Sequence, residues 1–210
     1  MSYAAVFGWG QKGIAKLLLE YGDVDADSLN EDGRTPLSYA AEEGALAVVN
    51  LLLGYEGVEP DSADNDGRTP LSFAAERGAQ SVVEMLLEDC NANPDSSDNG
   101  GRTPLSYAAE RGTQTVVELL LECENVDPDS VDAGGRTPLS FAAAEGVQSV
   151  VELLLEHEDV DSDSANTDGR TPLSYAAEAG ALSVAKLLLE YGDVDPDAAD
   201  TYCRPPLLCG

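Results

Sequence analysis

The string Gly-Arg-Thr-Pro-Leu-Ser begins at Gly33, Gly67, Gly101, Gly135 and Gly169, each start 34 residues after the last. A period that short, kept without slippage, confines the chain to a repeat architecture, because one such unit cannot bury its apolar face alone and must stack on its neighbours. Each string continues with an aromatic and an Ala pair: Tyr39-Ala40-Ala41, Phe73-Ala74-Ala75, Tyr107-Ala108-Ala109, Phe141-Ala142-Ala143 and Tyr175-Ala176-Ala177. A Gly follows, and then an apolar stretch ending in Leu-Leu. Residues 1–26 read as a partial unit, 27–199 as five full repeats and 200–210 as the start of another, all in one domain. Neither end has the polar outer face of a finished array, so the chain is expected to be a segment of a longer protein, with residues 198–210 fraying.

Local chemistry predicts a turn and two short antiparallel helices per unit. Thr35 is placed to accept a hydrogen bond from a free helix amide, and Pro36 suits the first helical position, where a missing N–H costs nothing. Gly44 is able to close that helix in the left-handed conformation. Leu46, Val49, Leu52 and Leu53 then form an apolar stripe at helical spacing. Ahead of each first helix an Asp, Asn and Gly cluster such as Asp64-Asn65-Asp66-Gly67 marks a hairpin-like turn.

On the Gly-x-Thr-Pro-Leu-x-x-Ala-Ala core, the following Gly and the Val-Val-x-x-Leu-Leu-Leu helix, the chain resembles the ankyrin repeat family. The tetratricopeptide array shares the period, but its Trp and late Pro pattern is missing. The acidic loop Val58-Glu59-Pro60-Asp61-Ser62-Ala63 holds the residue added to the common 33-residue unit; with it the repeats resemble those of fungal multidomain signalling proteins. The resemblance implies an all-α solenoid, here about six stacked helix pairs, about 50 to 60 Å long at the usual helix spacing.

One departure bears on stability. The family usually has His after Thr-Pro-Leu, where it bridges neighbouring turns, and this chain has Ser38, Ser72, Ser106, Ser140 and Ser174. A hydroxyl caps locally and does not reach so far, so Arg34, Arg68, Arg102, Arg136 and Arg170, with five donors each, are expected to bridge the turns through acids of their own turn and the next. The alternating Tyr and Phe after Ser are expected to serve packing.

Forty acidic residues against eleven basic ones set a net charge of −29. That balance opposes binding to phosphate backbones and to anionic lipid surfaces. No apolar run approaches the roughly 18 residues of a membrane span, and no secretory signal is visible. Cys90, Cys123, Cys203 and Cys209 form no CxxC pair, which fits free thiols in a reducing, intracellular setting.

Catalysis is not expected. His157 is the sole His and reads as an exposed loop residue, with no nucleophile motif or phosphate loop around it. Aligned to a calcium loop, Asp64-Asn65-Asp66-Gly67 puts Ser62 at the first ligand position and Phe73 where a bidentate Glu must close the cage, so no metal or cofactor is predicted. The loops around Asp27, Asp95, Asp129, Asp163 and Asp197 are expected to be hydrated or to cap turn amides.

The resemblance places partner contacts at the turn tips and at the end of each first helix, on the concave side. The candidates are Trp9, Glu42, Glu43, Asn65, Asp66, Glu76, Arg77, Asn99, Glu110, Arg111, Glu145 and Glu178. They imply a monomeric scaffold for a protein partner with a basic surface, in which Arg77 and Arg111 interrupt an acidic row. Trp9 serves either as an anchor there or as a cover for the array end beside Phe7. Two other readings stay open at this stage: a small-molecule or enzymatic groove lined by Arg77, Arg111 and Tyr side chains, and a spacer without a partner.

Overall fold

A computed structural model describes residues 13, 16, 25–88, 92–191, 194–198 and 200–201. Trp9, Phe7, Cys90, Cys203, Cys209, Arg204 and most of the predicted fraying segment lie outside the described residues. Among those described there are ten α-helices and no strand. They are α1 Pro36–Glu42, α2 Leu46–Leu53, α3 Pro70–Arg77, α4 Gln80–Glu88, α5 Pro104–Arg111, α6 Gln114–Leu121, α7 Pro138–Glu145, α8 Gln148–Glu156, α9 Pro172–Glu178 and α10 Leu182–Tyr191.

Each first helix starts as its sequence dictates. Thr35, Thr69, Thr103, Thr137 and Thr171 hold extended backbone and accept from the amide of the Ser three residues on, with Pro at the head of the helix. The Ser hydroxyl turns to the same Thr, 3.0 Å in the Thr35–Ser38 pair, and is therefore spent locally. Gly78 ends α3 at φ +67, where its amide returns to the carbonyls of Ala74 and Ala75. A side chain at Gly78 would meet the Thr113 methyl at 2.9 Å, so the same Gly also allows close approach of the next repeat.

The odd-numbered helices pack in one row and the even-numbered in a second, each helix touching its partner and the equivalent helices on either side. The Ala pairs, wholly buried from Ala40-Ala41 to Ala142-Ala143, let the first helices approach closely. Between the rows Leu37, Leu71, Leu105 and Leu139 meet Leu52, Leu86, Leu120 and Leu154, all inaccessible to solvent, in one continuous core. Burying each such side chain is worth about 1.5–3 kcal/mol.

The second-helix stripe differs in detail from expectation. Val48, Val49 and Leu52 are buried, whereas Leu46 is exposed and Leu53 half-buried. At 100° per residue Leu46 and Leu53 lie at the edge of the arc centred between Val48 and Val49, so the flanking repeats cover Val48 first.

Candidate functional site

The turn tips are joined by backbone bonds from one repeat to the next. The amides of Asn65, Asn99, Ala133, Thr167 and Thr201 donate to the carbonyls of Asp32, Asp66, Gly100, Gly134 and Asp168 at 2.7–3.0 Å. Inside each turn an Asn or Asp side chain accepts two amides; Asp64 Oδ1 takes those of Asp66 and Arg68 at 3.0 and 2.9 Å. Two candidate contact residues belong to this frame. Asn65 Nδ2 donates to the Glu31 carbonyl at 3.0 Å, and Asn99 Nδ2 to that of Asn65 at 2.9 Å. The Asp66 side chain is exposed at its tip.

The turn arginines do join the repeats, though by another route than shared acids. Arg34 lies over Tyr39 and Phe73 at 3.9 and 4.0 Å, Arg68 over Phe73 and Tyr107 at 4.0 and 4.1 Å, and Arg102 over Tyr107 and Phe141 at 4.0 and 4.3 Å. Each therefore sits between the aromatic of its own repeat and that of the next. Their ionic partners are Glu42, Glu76 and Glu110, eight residues on in the first helix, at 2.5, 2.5 and 2.7 Å. Arg170 pairs with Glu178 in the same way. Arg136 alone in this series pairs with an acid of its own turn, Asp132 at 2.9 Å, because Ala144 occupies the Glu position.

Phe73, Tyr107 and Phe141 are buried, yet they stand apart from the aliphatic core and face the arginines. Packing with cations, not apolar packing alone, accounts for the aromatic. The Tyr and Phe exchange has a local correlate as well. Tyr39 and Tyr175 hydroxyls accept from Asn30 and Asn166 at 3.0 and 2.9 Å, and the Tyr107 hydroxyl donates to Asp98 at 2.6 Å. Burial and that bond to a carboxylate push the Tyr107 phenol up to about 12.

Along the first-helix ends, Arg77 reaches back to Glu42 and Arg111 to Glu76, both at 2.7 Å. Burial alone would raise the Glu42 and Glu76 carboxyls, but the two guanidiniums on each hold them below the usual value. The supposed interruption of the acidic row is thus a pair of internal clasps, with Arg77 and Arg111 neutralising acids of their own array. The register of 35 residues that makes them carries no repeat-length signal. One repeat after Arg111, Glu145 stands where a clasping Arg would, and it is exposed. Glu43 and Glu178 are exposed too.

The acidic loops behave as capping groups. Asp61, Asp129 and Asp163 each accept the amide of a residue in the following repeat, Asp129 Oδ2 from Asp161 at 2.7 Å. Burial first, and neighbouring acids second, raise the carboxyls of Asp27, Asp95 and Asp129. Among the described residues no three His, Cys, Asp or Glu side chains gather to hold a metal ion. An open hollow of about 340 Å³ between the first two full turns is lined by Asp32, Arg34, Asp64, Asn65, Asp66, Arg68 and Phe73; Arg77 and Arg111 do not border it. His157 is half-buried where full exposure was expected, since it caps α8, and its Nδ1 accepts the Asp159 amide at 3.3 Å.

A family model described as ankyrin repeats (3 copies) matches residues 1–64, 53–132 and 124–200. No curated protein matches the chain. Among solved structures the chain is similar to the ankyrin repeat domain of Bcl-3, described as a unique member of the IkappaB protein family. The identity is 26% and the TM-score 0.77, covering 99% of this chain and 92% of that one.

Proposed function

Since the chain belongs to the ankyrin repeat family, whose repeats are generally protein–protein interaction modules, we propose that it is a non-catalytic scaffold that holds a basic protein partner along its turn tips and first-helix ends. The observation that carries this reading is the uneven neutralisation of the row. Glu42 and Glu76 are each held by two guanidiniums, while Glu145 replaces the clasping Arg and stands exposed. A partner's Lys or Arg side chains find exposed carboxylates at Glu145, which pairs with no described cation, and at Glu178, which is held by Arg170 alone, and the net charge of −29 speeds their approach at low salt.

The partner contacts on this reading are Asp66, Glu145 and Glu178, with Glu43 at the near end; Asn65, Asn99, Glu42, Glu76, Arg77 and Arg111 shape the surface from within the frame. The chain acts as a monomer and as part of a larger signalling protein inside the cell, in keeping with the free thiol of Cys123. Neither nucleic acid nor membrane is its target, and no described helix is long and apolar enough to cross a membrane.

Partner capture by the parent chain, by E145K/E178K and by R77E/R111E, each at about 50 and about 300 mM salt, tests this. The reading expects E145K/E178K to lose most capture at either salt. Capture that falls with salt but ignores both double variants would reduce the attraction to bulk charge and reject the site.

A further inference from the structure

We propose that the step from the fourth to the fifth full repeat is a joint built into the array, at which α9 and α10 part from the rest as one unit while the preceding full repeats stay closed. At the three earlier steps a turn Arg lies between two rings, one from each side of the boundary. At the fourth step Arg136 covers Phe141 at 4.1 Å and makes no stacking contact with Tyr175, whose ring carries Arg170 at 4.2 Å.

The cause is one residue. Glu42, Glu76 and Glu110 each hold their turn Arg in the slot between the rings, and the fourth repeat has Ala144 in that place. Without the carboxylate Arg136 turns back on Asp132, donating from Nε at 3.0 Å and Nη2 at 2.9 Å. Its side chain is 38% exposed, against 14%, 18% and 19% for Arg34, Arg68 and Arg102.

Other links across the boundary thin out at the same step. The clasps Arg77–Glu42 and Arg111–Glu76 span the first and second steps, and the equivalent positions at the fourth are Ala144 and Ala179. The Thr113 hydroxyl donates to the Ala75 carbonyl across the second step alone, at 3.1 Å, with Ala79, Val147 and Ala181 at that place across the others. The third step also lacks a clasp, with Glu145 at the Arg position, but keeps Arg102 between its two rings. What holds the fourth is the contact of α7 with α9 and of α8 with α10, the turn bond from Thr167 to the Gly134 carbonyl, the Thr167 hydroxyl on the same atom and the Asp161 amide on Asp129. In a linear array stability is close to a sum of unit and boundary contributions, so the boundary that lacks both the stacked cation and the ion pair opens first.

Amide hydrogen exchange on the full chain, read by peptide mass spectrometry, tests this with three variants. In the parent, α9 amides should exchange at least about tenfold faster than those of α5 and α7. A144E should recapture Arg136 and slow α9 exchange about threefold or more, whereas A144Q, of the same length without the charge, should not. E110A should free Arg102 and make α7 exchange together with α9. Equal exchange of α7 and α9 in the parent overturns the proposal. So does an equal effect of A144E and A144Q, including none, because simple end fraying is indifferent to a charge at position 144.

Discussion

Arg68 holds its guanidinium 4.1 Å from the ring centroid of Tyr107, a residue of the next repeat. The same group lies 4.0 Å from Phe73 in its own repeat and pairs with Glu76 at 2.5 Å. A planar cation covers two rings at once, and each partly desolvated contact is worth about 0.5–2 kcal/mol. The turn Ser cannot do this, since its hydroxyl is 3.2 Å from that of Thr69.

The planar group itself should therefore matter, beyond the charge. R68A is expected to cost about 2 kcal/mol and R68K about 1 kcal/mol in urea unfolding, because an ammonium keeps the attraction to Glu76 but cannot lie flat between two rings. An R68K chain as stable as the parent would contradict the stacked geometry.

Two glycines with the same backbone sign should respond differently to alanine. Gly67 has φ +83 and a side chain there would meet the Asn99 amide nitrogen at 2.8 Å, whereas Gly180 has φ +66 and open space. G180A should cost about 1 kcal/mol, the strain of the left-handed conformation alone. G67A adds a clash with a turn-to-turn bond and should cost about 3 kcal/mol or more. Thermal unfolding of the pair separates strain from contact, and equal losses would mean that the turn frame yields freely.

Acid should act on this chain in two opposite stages. Asp27, Asp95 and Asp129 have folded carboxyls raised above 3.8, so their penalty is present at neutral pH and is relieved as pH falls through the raised values. Glu42 and Glu76 are lowered from 4.5, so their stabilisation is present above that value and is lost as pH falls through the lowered ones. The Asp contribution should lift the melting temperature as pH falls through the raised values toward 3.8, and the Glu contribution should lower it as pH falls below 4.5. D129N keeps an acceptor for the Asp161 amide without the charge, and should raise the pH 7 melting temperature by about 2 °C while shrinking the acid gain. A monotonic fall from pH 7 downward would show the Asp row to be neutral in effect.

Tyr107 should ionise late. Its phenol, pushed up to about 12, resists deprotonation in the folded chain, so stability is unaffected below 10 and falls above it as the unfolded state loses the proton first. Ultraviolet titration of the parent and Y107F should differ by one late step, and Y107F should lose about 1 kcal/mol with the 2.6 Å bond to Asp98. An unchanged titration curve would place the hydroxyl in water.

The repeat, the helix starts and ends and the family were all legible before any coordinates, because their causes lie within a few residues of one another. A Thr cap with Pro behind it, and a Gly eight residues after that Pro, specify a short helix wherever they occur. The loss of the usual His was legible too, and with it the need for arginine to bridge the turns. How the bridge is made was not legible, nor was the engagement of Asn65, Asn99, Arg77 and Arg111 inside the frame. Those contacts join residues 34, 35 or 39 apart, and whether position 42 meets 76 or 77 depends on the rise and rotation between units. The buried Ala pairs and Leu side chains set that offset once the repeats are stacked. The sequence by itself determined what each repeat is, and the stacked structure decided which charges remain open to a partner.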